Sequence, residues 1–327
     1  APGGRAAAGG ARRGRGEART AAAGSSGSEV AMDDIPRIER VCVVGAGVMG
    51  RQIALNTALH GYPVTLTDVS AEALRQAEAF AADWLAGRVA KERLTAAEAE
   101  ATRGRLRYEP ELARAAADAD LVIEAVVEDL EVKRRLFAEL DRICPPRAIL
   151  ATNSSTLVSS KLASATGRPA KVANLHYFNP ALVMPLVEVV QGPHTAPETA
   201  QALVEFARRT GKTPILLRKE IFGFVANRLL HALRREALHL VEQGIATPAE
   251  VDLAAEKGLG HPMGPFRLMD LTGIDIAYQV SQERYRDSGD PADRPHPLIE
   301  EKVRRGELGR KTGKGWYEYP PDEGKGR

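Results

Sequence analysis

The run Val41-Cys42-Val43-Val44-Gly45-Ala46-Gly47-Val48-Met49-Gly50 constrains this chain more than any other stretch. Strand-forming apolar residues stop at the first of three glycines spaced G-x-G-x-x-G. A helical pattern follows, in which Ile53, Leu55 and Leu59 are apolar and Ala54 and Ala58 are small. Strand, glycine turn and helix in that order are what dinucleotide binding requires. Gly45 permits the tight turn, Gly47 lets the backbone approach a pyrophosphate, and Gly50 lets helix and strand pack closely. The phosphates then sit on the unpaired amides and positive end of the helix, which Val48 and Met49 begin. A second strand-like run, Tyr62 to Thr67, ends in Asp68, 18 residues past Gly50. A carboxylate there accepts hydrogen bonds from the ribose hydroxyls of an adenosine and repels a 2′-phosphate, which favours NAD over NADP. Arg51 and Arg75, nearby in sequence, weaken that preference slightly. The competing reading is a simple turn with a capping aspartate before Ser70.

The rest of the chain supplies the context. From Ser70 to about Ala101 small and apolar residues recur at helical spacing (Leu74, Ala77, Ala81, Leu85, Val89), with Lys91 and Arg93 near the bend of a helix pair. Asp120 to Val126 reads as a buried strand, and a helix from Leu130 to Ile143 is stopped by Cys144-Pro145-Pro146. Strands are expected at 148–152, 172–175, 186–190 and 214–217, with a helix over 197–210 before the last. This alternation predicts an α/β fold, a doubly wound, mostly parallel sheet of Rossmann type. Its ligand cleft lies beyond the carboxyl ends of the strands, where Gly50, Asp68, the acids after Val127 and Asn153-Ser154-Ser155 converge. After about Lys219 the pattern becomes wholly helical. The expected organisation is a disordered leader over 1–34, a dinucleotide-binding domain over 35–218 and an all-helical domain over 219–327.

Composition removes several classes. The chain has 327 residues, 44% hydrophobic and 27% charged, with a formal net charge of +2. Near-balanced charge calls for neither nucleic acid nor an anionic membrane. No apolar run approaches the roughly 20 residues that span a bilayer. Cys42 and Cys144 form neither a disulfide framework nor a metal site, and no pair among the seven histidines has metal-ligand spacing with a nearby acid.

Two further stretches carry chemistry. Asn174-Leu175-His176-Tyr177-Phe178-Asn179-Pro180 places a histidine at a strand end, and Leu186-Val187-Glu188-Val189-Val190 places a glutamate inside an apolar strand. A buried carboxylate needs a partner, and a histidine oriented by one becomes a better proton acceptor. Periodicity leaves two readings open: a His176–Glu188 proton-transfer pair, or an unrelated core histidine and a half-exposed strand glutamate.

Taken together, the ordered motifs resemble the L-3-hydroxyacyl-CoA dehydrogenase family, over about Arg37 to Tyr319. They are Val43 to Gly50, Glu124-Ala125-Val126-Val127-Glu128, Asn153 to Leu157, His176 to Pro180, Gly223 to Leu229, His261 to Phe266 and Gly309 to Gly315. The resemblance is strongest to its 3-hydroxybutyryl-CoA dehydrogenase members. It implies His176 as general base with Glu188 holding it, Ser155 bonding the substrate oxygen and Asn227 completing the site from the helical domain. It implies Glu128, Lys133, Ser155, Asn179 and Lys311 around the cofactor, and Lys91 on the CoA phosphates. Trp84 departs from the pattern, standing where some members have a small polar CoA contact. The bland alternatives are that Ser155 caps a helix, that Asn227 is an exposed helix residue, that Lys133 is a solvated charge paired with Asp129, and that Lys311 lies in a mere loop.

The expected reaction is reversible hydride transfer between an L-3-hydroxyacyl-CoA and NAD in a cytoplasmic homodimer joined through the helical domain. Two alternatives stay open: a free 3-hydroxy acid or carnitine-like substrate on the same scaffold, and a non-catalytic nucleotide-binding or structural protein.

Overall fold

The computed structural model describes residues 35–320, so the leader expected over 1–34 lies outside the described residues. Eight strands are described: β1 (Val41–Val44), β2 (Val64–Thr67), β3 (Leu106–Tyr108), β4 (Leu121–Glu124), β5 (Ile149–Thr152), β6 (Val172–Tyr177), β7 (Leu186–Val190) and β8 (Thr213–Leu217). Between them run α1 (Val48–Leu59), α2 (Ala71–Ala90), α3 (Ala96–Arg105), α4 (Leu112–Ala116), α5 (Leu130–Ile143), α6 (Ser160–Ala163) and α7 (Pro197–Arg209). The strands form one sheet in the order β3-β2-β1-β4-β5-β6-β7-β8. The first six run parallel; β7 turns back antiparallel to β6, and β8 follows β7 in parallel. The order reverses between β1 and β4, which places the glycine turn at the switch point of the sheet.

Alternation along each central strand explains the layers. Val41, Val43, Leu121, Ile123, Ile149 and Ala151 point to one face, where α1 and α7 cover them. Cys42, Val44, Val122 and Leu150 point to the other, against Phe137 and Leu140 of α5 and Leu162 of α6. Both faces are covered, so these strands are apolar except at their carboxyl ends, where Glu124 and Thr152 stand. Burial pushes the Cys144 thiol up to about 11 and the Cys42 thiol higher still, so both act as small core residues.

Several details differ from the sequence reading: the short helices α4 and α6 carry no strong pattern, and β4 ends at Glu124. The edge strand β3 (Leu106-Arg107-Tyr108) is not expected from the sequence, because it is short, lacks an apolar run, and has Leu106 and Tyr108 only partly buried with Arg107 exposed between them. Strand β6 continues two residues past Leu175, so His176 lies within the strand.

Beyond β8 the described residues form helices, α8 (Ala226–Glu242), α9 (Pro248–Gly258), α10 (Pro265–Thr272), α11 (Ile274–Ser288) and α12 (Pro297–Arg304), with isolated bridges Gly309–Lys314 and Lys314–Glu318 near the end. Ala237, Leu238, Phe266, Met269, Ile274, Ala277 and Ile299 make their own core. Two buried aspartates tie the motifs of this part together. Asp252 accepts from the amides of Phe266 and Arg267 and from the Tyr317 hydroxyl. Asp270 accepts from the amides of Trp316 and Tyr317. Among the described residues no helix is long and apolar enough to cross a membrane.

Candidate active site

At the nucleotide end the backbone does what the glycine spacing demands. Gly45 has φ of 101°, and a side chain on Gly50 would collide with the Gly45 carbonyl. Open space faces Gly47, and α1 begins there with no side chain capping its amides and no acid in its first turn. Those amides and the helix dipole are therefore available to an anion. Asp68 stands beside them: its Oδ2 accepts from the Ala46 amide at 2.7 Å and its Oδ1 from the Ser70 amide at 2.8 Å. A free anion cradle beside a fixed carboxylate fits a dinucleotide with an unmodified adenosine ribose.

On the other half of the sheet a second constellation forms. Residues 176 and 188 are register partners on β6 and β7. His176 Nδ1 lies 2.9 Å from Glu188 Oε2, and His176 Nε2 lies 3.0 Å from Ser155 Oγ. The carboxylate only accepts, so Nδ1 carries the proton and Nε2 is left as the acceptor facing Ser155. Glu188 Oε1 accepts from the amides of Val225 at 3.0 Å and Ala226 at 2.9 Å, where α8 begins. Burial alone would raise the Glu188 carboxyl. The His176 hydrogen bond and the Ala226 and Val225 amides outweigh it and hold the group below the ordinary carboxylate range. Both side chains are buried, at 3% and 0% exposure. Phe178 and Phe224 pack their rings 4.6 and 5.4 Å from the imidazole. Asn227, half-buried, follows Ala226 on the first turn of α8.

The loop that carries Ser155 is held from below. Ser154, not Ser155, makes the local turn: its hydroxyl accepts from the Leu157 amide at 2.8 Å, which frees Ser155 for His176. Glu128 accepts from the hydroxyls of Ser154 and Thr156. Burial would raise the Glu128 carboxyl, but Lys133 and these hydroxyls lower it overall. Lys133 is 1% exposed and bonds Glu124 at 2.6 Å and Glu128 at 3.2 Å. Glu124 in turn accepts from Thr152 Oγ1 at 2.7 Å and from the Val126 amide at 2.8 Å. Lys133 is therefore not a solvated charge paired with Asp129: Asp129 instead caps α5, accepting from the Val132 amide. Sequence spacing missed this because Glu124 and Lys133 meet through the end of β4, not along one helix face.

The remaining candidates are more scattered. Asn179 is exposed and precedes a cis Pro180. Lys91 is the exposed residue just past the end of α2, and upstream on that helix the Arg88 guanidinium lies over the Trp84 ring. Lys311 pairs with Asp275 of α11 at 2.6 Å, so its ammonium is held within the helical part.

A dinucleotide cradle at the switch point, with a histidine–carboxylate pair farther along the same sheet, defines a nicotinamide-dependent dehydrogenase of the doubly wound class. The comparisons with known proteins narrow that class. The NAD-binding domain of 3-hydroxyacyl-CoA dehydrogenase matches residues 40–221, and the C-terminal domain of the same enzymes matches 223–319. The chain belongs to the 3-hydroxyacyl-CoA dehydrogenase family. It is 38% identical over 282 residues to a probable 3-hydroxybutyryl-CoA dehydrogenase of Bacillus subtilis (strain 168), covering 86% of this chain and 98% of that one. It is 37% identical to the human mitochondrial hydroxyacyl-coenzyme A dehydrogenase, covering 86% of this chain and 91% of the human protein. The crystal structure of (S)-3-hydroxybutyryl-CoA dehydrogenase PaaH1 from Ralstonia eutropha superposes with a TM-score of 0.82 at 36% identity, covering 87% of this chain and all of that one (100%).

Proposed function

We propose that this protein interconverts an L-3-hydroxyacyl-CoA, with 3-hydroxybutyryl-CoA as the expected substrate, and the corresponding 3-oxoacyl-CoA. The observation that carries the reading is the line Ser155–His176–Glu188, two bonds of 3.0 and 2.9 Å ending on a carboxylate kept ionised. NAD, when bound by Gly45, Gly47, Val48, Met49, Gly50 and Asp68, supplies the hydride acceptor. His176 Nε2 takes the substrate hydroxyl proton in oxidation and returns it in reduction. Glu188 keeps Nδ1 protonated, so the neutral ring presents its lone pair at Nε2, and the carboxylate stabilises the imidazolium that forms. Ser155 bonds the same substrate oxygen and orients it toward Nε2. Asn227 and Phe224 close the site from the α8 side and Phe178 from the end of β6, and the water-poor setting they make strengthens each of these interactions.

On the cofactor side, the family resemblance assigns Glu128, Lys133, Asn179 and Lys311 to the nicotinamide end, and Lys91 to the CoA phosphates; buried Lys133 would act there through Glu128, and Lys311 would first have to leave Asp275. Exposed Leu229, Leu253, Leu259, Leu271 and Ile276 support a homodimer through the helical domain, expected in the cytoplasm. The test is NADH consumption with acetoacetyl-CoA and with free acetoacetate, for the parent and His176→Gln. Turnover of the thioester alone, lost in the variant with NADH binding retained, supports the reading. Equal rates on both substrates, or a near-parental variant, would reject it.

A further inference from the structure

The segment between β8 and α8 is pinned at both ends by carboxylates. At its far end, Val225 and Ala226 are held by Glu188. At its near end, Glu220 Oε1 accepts from the Ser159 hydroxyl and the Ser160 amide, both at 2.8 Å. The Ser159 amide donates to Asn174 Oδ1 at 2.8 Å, and Asn174 lies on β6 two residues before His176. A closed circuit results: β6 through Asn174 to Ser159, to Glu220, along 221–224 to the amides of Val225 and Ala226, to Glu188, and back to β6 through His176.

The circuit is built tightly. A side chain on Gly192 would lie 2.8 Å from Glu220 Oε1 and closer still to the His194 ring, so both side chains would have to shift to admit one. Between the pins, Phe224 takes a positive φ of 49° and packs 5.4 Å from the His176 ring. A non-glycine residue keeps that conformation only where its surroundings fix it.

We infer that Glu220 is a positioning residue for the reaction: by fastening the joining segment to Ser159 and Ser160, it sets how Phe224, Val225, Ala226 and Asn227 meet the His176–Glu188 pair. This rests on the proposed reaction, but Glu220 touches none of the reacting groups and acts through the segment it holds. It also binds the far side of the Ser155 loop, so one carboxylate indexes the serine and the α8 contribution to the same frame.

The test compares Glu220→Ala and Glu220→Gln in the full chain. The glutamine carbonyl still accepts both bonds; alanine accepts neither. Glu220→Ala is expected to lower kcat about 10- to 100-fold, the loss typical of small misplacements in a site. NADH affinity, measured by fluorescence, is expected to stay at the parental value. Glu220→Gln is expected to restore most of the rate. Glu220→Ala combined with Asn227→Ala should be no slower than the slower single variant, because the two act as one unit. Amide exchange at Val225 and Ala226 should quicken in Glu220→Ala and not in Glu220→Gln. That readout needs no turnover, so an inactive parent would reject the proposed reaction and leave this inference decided by exchange alone. Parental kcat in Glu220→Ala, multiplicative losses with Asn227→Ala, or unchanged exchange would overturn it.

Discussion

His176 and Glu188 stand directly opposite each other across β6 and β7, where the sheet's otherwise parallel run turns antiparallel. Opposed residues of an antiparallel pair bring their side chains together on one face, so the register itself makes the 2.9 Å contact. Because β7 reverses the chain, a carboxylate from the middle of one strand meets a histidine near the end of the other.

Glu188→Gln tests that contact. The amide side chain keeps its size and still accepts from Val225 and Ala226, but it presents a donor to Nδ1. Nε2 then carries the proton and no longer accepts one. A fall in kcat of about 10²- to 10⁴-fold is expected, the range for losing general-base catalysis. NADH affinity should stay unchanged. A variant with parental kcat would remove the carboxylate from proton transfer.

Asp68→Ala should weaken NADH binding about 10- to 100-fold, the equivalent of about 1.5–3 kcal/mol for hydrogen bonds to a charged group. The change also frees the Ala46 amide that the carboxylate holds. Discrimination against NADPH should shrink with it, because the charge that repels a 2′-phosphate is gone. Fluorescence titration with both nucleotides measures each affinity. Equal losses for the two would mean that Asp68 serves the turn alone.

What the sequence disclosed follows the range of the interactions. The glycine turn, Asp68 and the apolar strands are local patterns, and each lies where spacing predicts it. The partnership of His176 with Glu188 was a two-way choice, because chemistry asks for a partner while periodicity does not name one. Glu220 carried no signal at all: its partner Ser159 is 61 residues away, and neither residue interrupts a pattern. Lys133 was misleading for the same reason. It lies among Glu131, Arg134 and Arg135 on a charged helix, and only the buried Glu124 at the end of β4 reveals that it faces inward.

Lys133→Met should therefore act on stability first. The substitution leaves Glu124, fully buried, without its cation, and removing one partner of a buried pair costs about 3–5 kcal/mol. Pairing it with Glu124→Gln removes the stranded charge and should recover much of the loss. Thermal unfolding of the two variants decides the matter. A Lys133→Met protein as stable as its parent would show that the ammonium is not needed within the fold and would leave the cofactor as its main partner.

Acid should expose the anchors of the sheet. Asp120 accepts from the amides of Glu39 and Arg40, both at 3.0 Å, and from Arg147 at 2.6 Å. Burial pushes its carboxyl up; Arg147 and the two amides push it down further, so the folded-state pKa lies below the ordinary value. A depressed carboxylate contributes stability that is present above its unfolded pKa, about 4, and is lost as pH falls through the folded value. Glu128 and Glu188 are lowered as well, so they add to the same acid limb. Asp120→Asn should cost about 1–3 kcal/mol at pH 7, where the charge-assisted bonds are complete. The gap between parent and variant should then narrow as unfolding is followed from pH 5 to pH 3. A gap that stayed constant over that interval would mean that the carboxylate's charge contributes nothing and that only its shape holds Glu39 and Arg40 in place.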